Sequence, residues 1–198
     1  MDETQEKGHL EEQGTDKESS KVSFALSGEE DGRHSPENGS DALTDKEGKY
    51  LTFSLADEEY GIGILKIKEI IGMMPITSVP RTPDYVKGVI NLRGKVIPVI
   101  DLRLRFTMPE SEYTDRTCIV VVEIGGRAMN MIIGTVVDSV SEVLNIKGEE
   151  IEETPSFGTS LDTDYIFGMA KVEGGVKILL DIDTVLSSEE MAQLQDAA

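Results

Sequence analysis

The stretch GVINLRGKVIPVIDL, residues 88–102, is almost entirely apolar except at one polar turn made of Asn91, Arg93, Gly94 and Lys95. Eighty positions later GMAKVEGGVKILLDI, residues 168–182, aligns with it without a gap: Gly88 on Gly168, Gly94 on Gly174, Val96 on Val176 and Asp101 on Asp181. A weaker match lies upstream, where GIGILKIKEII (61–71) aligns with GTVVDSVSEVL (134–144), pairing Gly61 with Gly134, Ile67 with Val140 and Glu69 with Glu142. The order is the same in both halves, so the chain carries two copies of one unit of about 70 residues, the second with a longer loop around PSFGTSL (155–161).

The unit is a β unit. Its runs are short, rich in Val and Ile, and broken by Gly, Pro and Asn at the spacing of small barrels. KYLTFSLA (49–56) alternates as a half-buried strand does, with Tyr50 out of phase with Leu51, Phe53 and Leu55. CIVVVEI and NMIIGTVV are continuous apolar runs, suited to strands covered on both faces. Pro98 has no backbone donor, which places its strand at an edge or a bulge there. Ser187 and Glu190 have capping-box spacing ahead of MAQLQ, which predicts a terminal helix. The fold class expected is all-β, two small barrels and a closing helix.

Residues 1–48 differ from the rest, with 14 acidic, 5 basic and only 8 apolar residues. Ordering a residue costs about 1–2 kcal/mol of backbone entropy, and this segment has little apolar area to offset it. It reads as a disordered acidic tail ahead of a folded domain at 49–198; the run VSFAL (22–26) within it matches a short docking motif in composition, but five apolar residues of this kind ordinarily carry no function. The whole chain has 38 acidic and 19 basic residues, a net charge of −19. Such a polyanion is repelled by nucleic acid and by anionic membranes. No apolar run approaches the roughly 18 residues of a membrane span, and MDETQEKG lacks the basic flank and apolar stretch of a signal peptide. The one cysteine, Cys118, closes no internal disulfide, which fits a reducing cytoplasm.

Catalytic chemistry finds little to work with. Both histidines, His9 and His34, fall in the tail, leaving the folded part without imidazole as base, phosphoacceptor or metal ligand. Neither a GxxxxGK[ST] loop nor a strand-following GxGxxG is present. Asp162 and Asp164 sit in a polar loop and read as solvated. Three classes remain for a chain of this kind. An interaction module leads; a nucleic-acid binder would need a basic face with exposed aromatics, and a carboxylate-only enzyme would need two acids across a cleft. No catalytic residue, cofactor or metal is expected.

The repeat also separates structural from available positions. Gly94 and Gly174 both supply the positive φ of a tight turn, and Asp101 and Asp181 both hydrogen-bond the backbone where a strand ends. Arg93, however, is matched by Glu173. A charge that the fold can invert is free for function.

YGIGILKIKEII (60–71), then PRTPDYVKGVINLRGKVIPVIDL (80–102), and in the second half GTVVDSVSEVL, TDYIFGMAKVEGGVKILLDIDTVL and SSEEM, together resemble the CheW family of chemotaxis coupling proteins over residues 49–192. The resemblance implies two SH3-like five-stranded barrels and a non-catalytic scaffold between the cytoplasmic tip of chemoreceptors and the regulatory domain of the histidine kinase CheA. It implies a cytoplasmic protein recruited to membrane receptor arrays, with no direct membrane or nucleic-acid binding. A similar adaptor in a non-motility chemosensory pathway is the alternative. By the same resemblance Ile67, Glu69 and Phe157 are kinase-binding positions, and Gly88, Arg93, Gly134 and Val143 receptor-binding ones. Val89 and Leu92 join Val143 as candidates to line an apolar groove between barrels that takes a receptor helix. The sequence departs from the family at Glu152 and Glu153, where a basic residue is frequent.

Overall fold

The computed structural model describes residues 46–125, 130–154 and 164–196. Residues 1–45 of the acidic segment, with VSFAL and both histidines, lie outside them, as do Phe157 and Asp162. The first strand already begins at Gly48.

Among the described residues eleven strands form two sheets. They are β1 Gly48–Leu55, β2 Glu58–Gly63, β3 Ile67–Gly72, β4 Val86–Leu92, β5 Lys95–Asp101, β6 Cys118–Gly125, β7 Asn130–Val137, β8 Ser139–Ile146, β9 Ile151–Glu152, β10 Ile166–Val172 and β11 Gly175–Leu180. One sheet runs β8-β1-β2-β11-β10-β9, the other β3-β6-β7-β5-β4. Each curls into a barrel. In the second, Thr77 closes the ring by exchanging two 2.9 Å backbone hydrogen bonds with Val89 of β4. In the first, β9 does the same job opposite Met169 and Ala170 of β10.

The repeat is visible in the register. β4 and β10 each carry a bulge at the same place, between Val86 and Gly88 and between Ile166 and Gly168. Asp101 N donates to Tyr85 O at 2.8 Å and Asp181 N to Tyr165 O at 2.9 Å. The barrels, however, are not the sequence halves. β5 pairs in parallel with β7, Val99 facing Gly134, while β11 pairs in parallel with β2, Leu179 facing Gly61. Each barrel therefore takes its first hairpin from one repeat and its remaining strands from the other.

That exchange explains the burial. Tyr50 enters the interior of the first barrel with Ile146, Ile151, Ala170 and Leu179. Leu51, Phe53 and Leu55, on the other face of β1, join a larger core with Ile62, Ile100, Val120, Val122 and Leu180 between the two sheets. β1 is thus covered on both faces, and its alternation sorts two cores rather than core from solvent. β6 divides similarly: Ile119 and Val121 point into the second barrel, Val120, Val122 and Ile124 into the central core.

Pro98 departs from expectation, since it is buried in an interior strand with β4 on one side and β7 on the other. The missing donor is tolerated because the β7 ladder starts one residue later, at Val99. The bulge lies on the partner strand.

Two helices follow the two Asp-ended strands. α1, Leu102–Arg105, is capped by Asp101 Oδ1, which accepts from Arg103 N at 2.9 Å and Leu104 N at 3.3 Å. α2, Ser188–Asp196, opens with the expected capping box: Ser187 N donates to Glu190 Oε2 at 2.7 Å, and Glu190 N to Ser187 Oγ at 3.2 Å. Leu194 of α2 reaches the central core, and Tyr85 donates to Glu190 Oε1 at 2.5 Å.

Candidate functional site: the mouth of the β3–β7 barrel

The β4–β5 hairpin turns on two residues, Arg93 at φ +52° and Gly94 at φ +86°. Both central residues left-handed is the tight turn that matches strand twist. Asn91 Oδ1 holds it by accepting from Gly94 N at 2.8 Å. For arginine the left-handed region costs about 1–2 kcal/mol. In the other hairpin only Gly174 and Gly175 have positive φ, so Glu173 escapes that cost and the two turns are not equivalent.

Arg93 is not bare. Its Nη2 donates to Glu69 Oε2 at 2.6 Å, across the barrel mouth on β3. The arginine side chain is 79% exposed and the glutamate 24%, so the pair itself is worth no more than about 1 kcal/mol in water. The mates of these residues in the other repeat, Glu173 and Glu142, are two carboxylates. The fold has no use for this ion pair.

Beneath it lies a cavity of about 180 Å³ lined by Lys68, Glu69, Leu92, Arg93, Lys95, Val121 and Ile132. Leu92, Val121 and Ile132 make an apolar floor continuous with the interior of the barrel. Lys68 pairs with Glu123, and this hydrogen bond holds the Glu123 carboxyl below its ordinary range. The Lys95 side chain is exposed and makes no ion pair or hydrogen bond among the described residues.

The sequence-derived positions sort unevenly around this mouth. Glu69, Arg93 and Leu92 meet there. Val89 is half-buried and closes the barrel against Thr77. Ile67 is half-buried and packs on the central core, so it is as much a packing residue as a surface one. Gly88 and Gly134 are buried. A Cβ on Gly88 would lie 2.1 Å from Thr77 O, and one on Gly134 2.6 Å from Ile119 Cγ2. Both glycines permit the close approach of neighbouring strands and present no side chain to the surface. Val143 is exposed on β8 of the other sheet. The space between the two sheets is occupied by the largest core.

Sequence reasoning missed Lys68, Lys95, Val121 and Ile132, which come from four strands and share no motif. It also missed Leu65, 91% exposed on the 3-10 turn before β3, which burial alone distinguishes from its apolar neighbours. Among the described residues no helix is long and apolar enough to cross a membrane.

Comparison with known proteins identifies the family behind these two interlocked barrels. The model of the CheW-like domain matches residues 49–190. The chain belongs to that family. The chemotaxis protein CheW of Klebsiella aerogenes is 43% identical over 150 residues, covering 76% of this chain and 88% of that one. CheW of Bacillus subtilis is 37% identical over 142 residues, covering 71% and 88%. Among solved structures, the scaffolding protein TtCheW of Thermoanaerobacter tengcongensis superposes with a TM-score of 0.64 at 36% identity, covering 73% of this chain and 95% of that one. This CheW-like chain is a chemotaxis coupling scaffold and not an enzyme. Its family couples chemoreceptors to CheA, and a non-motility role is not favoured.

Proposed function

We propose that this CheW-like chain holds the regulatory domain of CheA and the cytoplasmic tip of a chemoreceptor on adjoining surfaces, in the cytoplasm beneath receptor arrays. The kinase side is formed around Ile67 and Glu69, with Phe157 as a further contact; the receptor side is formed around Val89, Leu92, Arg93 and Val143, shaped by Gly88 and Gly134. The observation that carries this reading is the 2.6 Å bond from Arg93 to Glu69, which ties a residue of one surface to a residue of the other. A partner that draws the guanidinium away leaves Glu69 with an unpaired charge, and one that engages Glu69 frees Arg93. Each binding event thereby alters the other surface, as reciprocal coupling requires. The two surfaces are consequently not separable through Glu69.

A reconstituted phosphorylation assay with purified receptor and CheA tests it. Glu69→Lys and Arg93→Glu should each impair receptor control of the kinase, and the double reversal should recover part of it, because the pair is restored with opposite polarity. Single variants with full control would sink the reading.

A further inference from the structure

We propose that the mouth of the β3–β7 barrel is selective for a partner segment that presents one apolar side chain flanked by carboxylates, and that Lys95 is the selecting cation. The inference rests on the reading of this mouth as a partner surface and specifies its chemistry. At about 180 Å³ the cavity is smaller than the roughly 300–1,000 Å³ of small-molecule sites, which suits a single aliphatic or aromatic side chain. Its floor of Leu92, Val121 and Ile132 is apolar. Its rim is cationic on a chain of net charge −19: Lys68, Arg93 and Lys95 stand against Glu69 alone.

The three cations are not equally available. Glu123 occupies Lys68 and Glu69 occupies Arg93, while Lys95 has no partner among the described residues. An unclaimed ammonium beside an apolar floor attracts a carboxylate that follows the anchoring side chain and repels a lysine in that place. The corresponding position in the other hairpin is Gly175, and the residue matching Ile132 is Glu59, so the selectivity belongs to one barrel and is not imposed by the fold.

The test uses the full chain with labelled methyl groups and two synthetic peptides, one with a single Leu between Glu residues and one with the same Leu between Lys residues. The Glu peptide should shift the Leu92, Val121 and Ile132 methyl signals and bind at least about tenfold more tightly than the Lys peptide, the equivalent of about 1.4 kcal/mol. Lys95→Glu should abolish that preference, and so should about 1 M salt, where the screening length falls to about 3 Å. Equal binding of both peptides, shifts confined to other surfaces, or an unchanged preference in Lys95→Glu would each overturn the proposal. If the peptides behave as stated while Lys95→Glu still couples receptor to kinase fully, the selectivity stands and the partner reading of this mouth fails.

Discussion

The two barrels have corresponding mouths, and they are furnished in opposite ways. In the β3–β7 barrel the floor is Val121, Ile132 and Leu92 and the rim is basic. At the matching positions of the other barrel stand Thr52, Glu59 and Val172, with Ser141, Glu142 and Glu173 around them. There Glu59 fills the site: Oε1 accepts from Ser54 at 2.9 Å and Ser141 at 2.8 Å, Oε2 from Lys177 at 3.2 Å. Thr52 donates to Glu142 O at 3.0 Å and accepts from Glu142 N at 3.2 Å. One mouth is bridged by hydrogen bonds among its own polar side chains, and the other is a cavity over an apolar floor. Corresponding strand orders support both, so the furnishing of the open mouth is not demanded by folding.

The comparison is broken most severely at the bulge glycines. Gly88 has φ +136° and a Cβ there would strike Thr77 O at 2.1 Å, a backbone atom that cannot swing aside. Its mate Gly168 has no positive φ, and a Cβ there would meet Ile151 Cγ2 at 2.9 Å and Glu152 O at 3.1 Å. Gly88→Ala should cost about 3–5 kcal/mol, combining overpacking with backbone strain, and Gly168→Ala about 1–2. Urea melts read this directly, and equal losses would show that the two closures are equally tight.

A smaller asymmetry lies in the seams. Arg103 Nη1 donates to Asp138 Oδ2 at 2.6 Å, and Ala56 N donates to the same oxygen at 2.8 Å. At the matching seam the charges are exchanged: Lys66 pairs with Asp183, which also accepts from Gly125 N at 2.8 Å. Arg103 is the better buried cation, 15% exposed against 40% for Lys66. Asp138→Ala should therefore cost about 1–3 kcal/mol and Asp183→Ala about 1 or less, by the same melts.

Acid sharpens the contrast between the mouths by a smaller amount. Burial opposes ionisation of Glu59, but hydrogen bonds from Ser141, Ser54 and Lys177 outweigh it and hold its pKa below 4.5. A depressed carboxylate stabilises the fold above its ordinary pKa, and that contribution fades as pH falls through the lowered value. Glu59→Gln should lower stability at neutral pH and flatten its decline in acid. An unchanged pH profile would mean that the closed mouth is held by packing alone.

Much of this was legible beforehand because repetition exposes geometry. Gly94 and Gly174, Asp101 and Asp181, and the Ser187–Glu190 box all serve as their pattern implies. The exchange of hairpins between barrels was not legible, since two similar units present equivalent edges to either neighbour and local pattern cannot choose between them. Nor was the Arg93–Glu69 contact, which joins the turn after β4, at one end of the sheet, to β3 at the other, 24 positions away. The different backbone conformations of Arg93 and Glu173 were hidden for a related reason: a Glu-Gly-Gly turn and an Arg-Gly-Lys turn reach the same strand pairing by different dihedral angles.

That difference makes Arg93 the finest probe of all. Arg93→Gly places glycine where φ is +52°, removing a strain of about 1–2 kcal/mol while losing an exposed pair worth about 1 or less. The folded state should be unchanged or slightly more stable. Arg93→Glu keeps the strain, loses the pair and sets a second carboxylate beside Glu69, for a net loss of about 1 kcal/mol. A domain of this size shifts by about 2–4 °C per kcal/mol, so the two melting temperatures should differ by only a few degrees, with Arg93→Gly the higher. Both variants should nevertheless lose receptor control of the kinase to a similar extent. If Arg93→Gly melts lower than the unaltered chain, the arginine supports the hairpin structurally and the strain argument is wrong. If it melts higher and still couples fully, the open mouth does its work without the guanidinium.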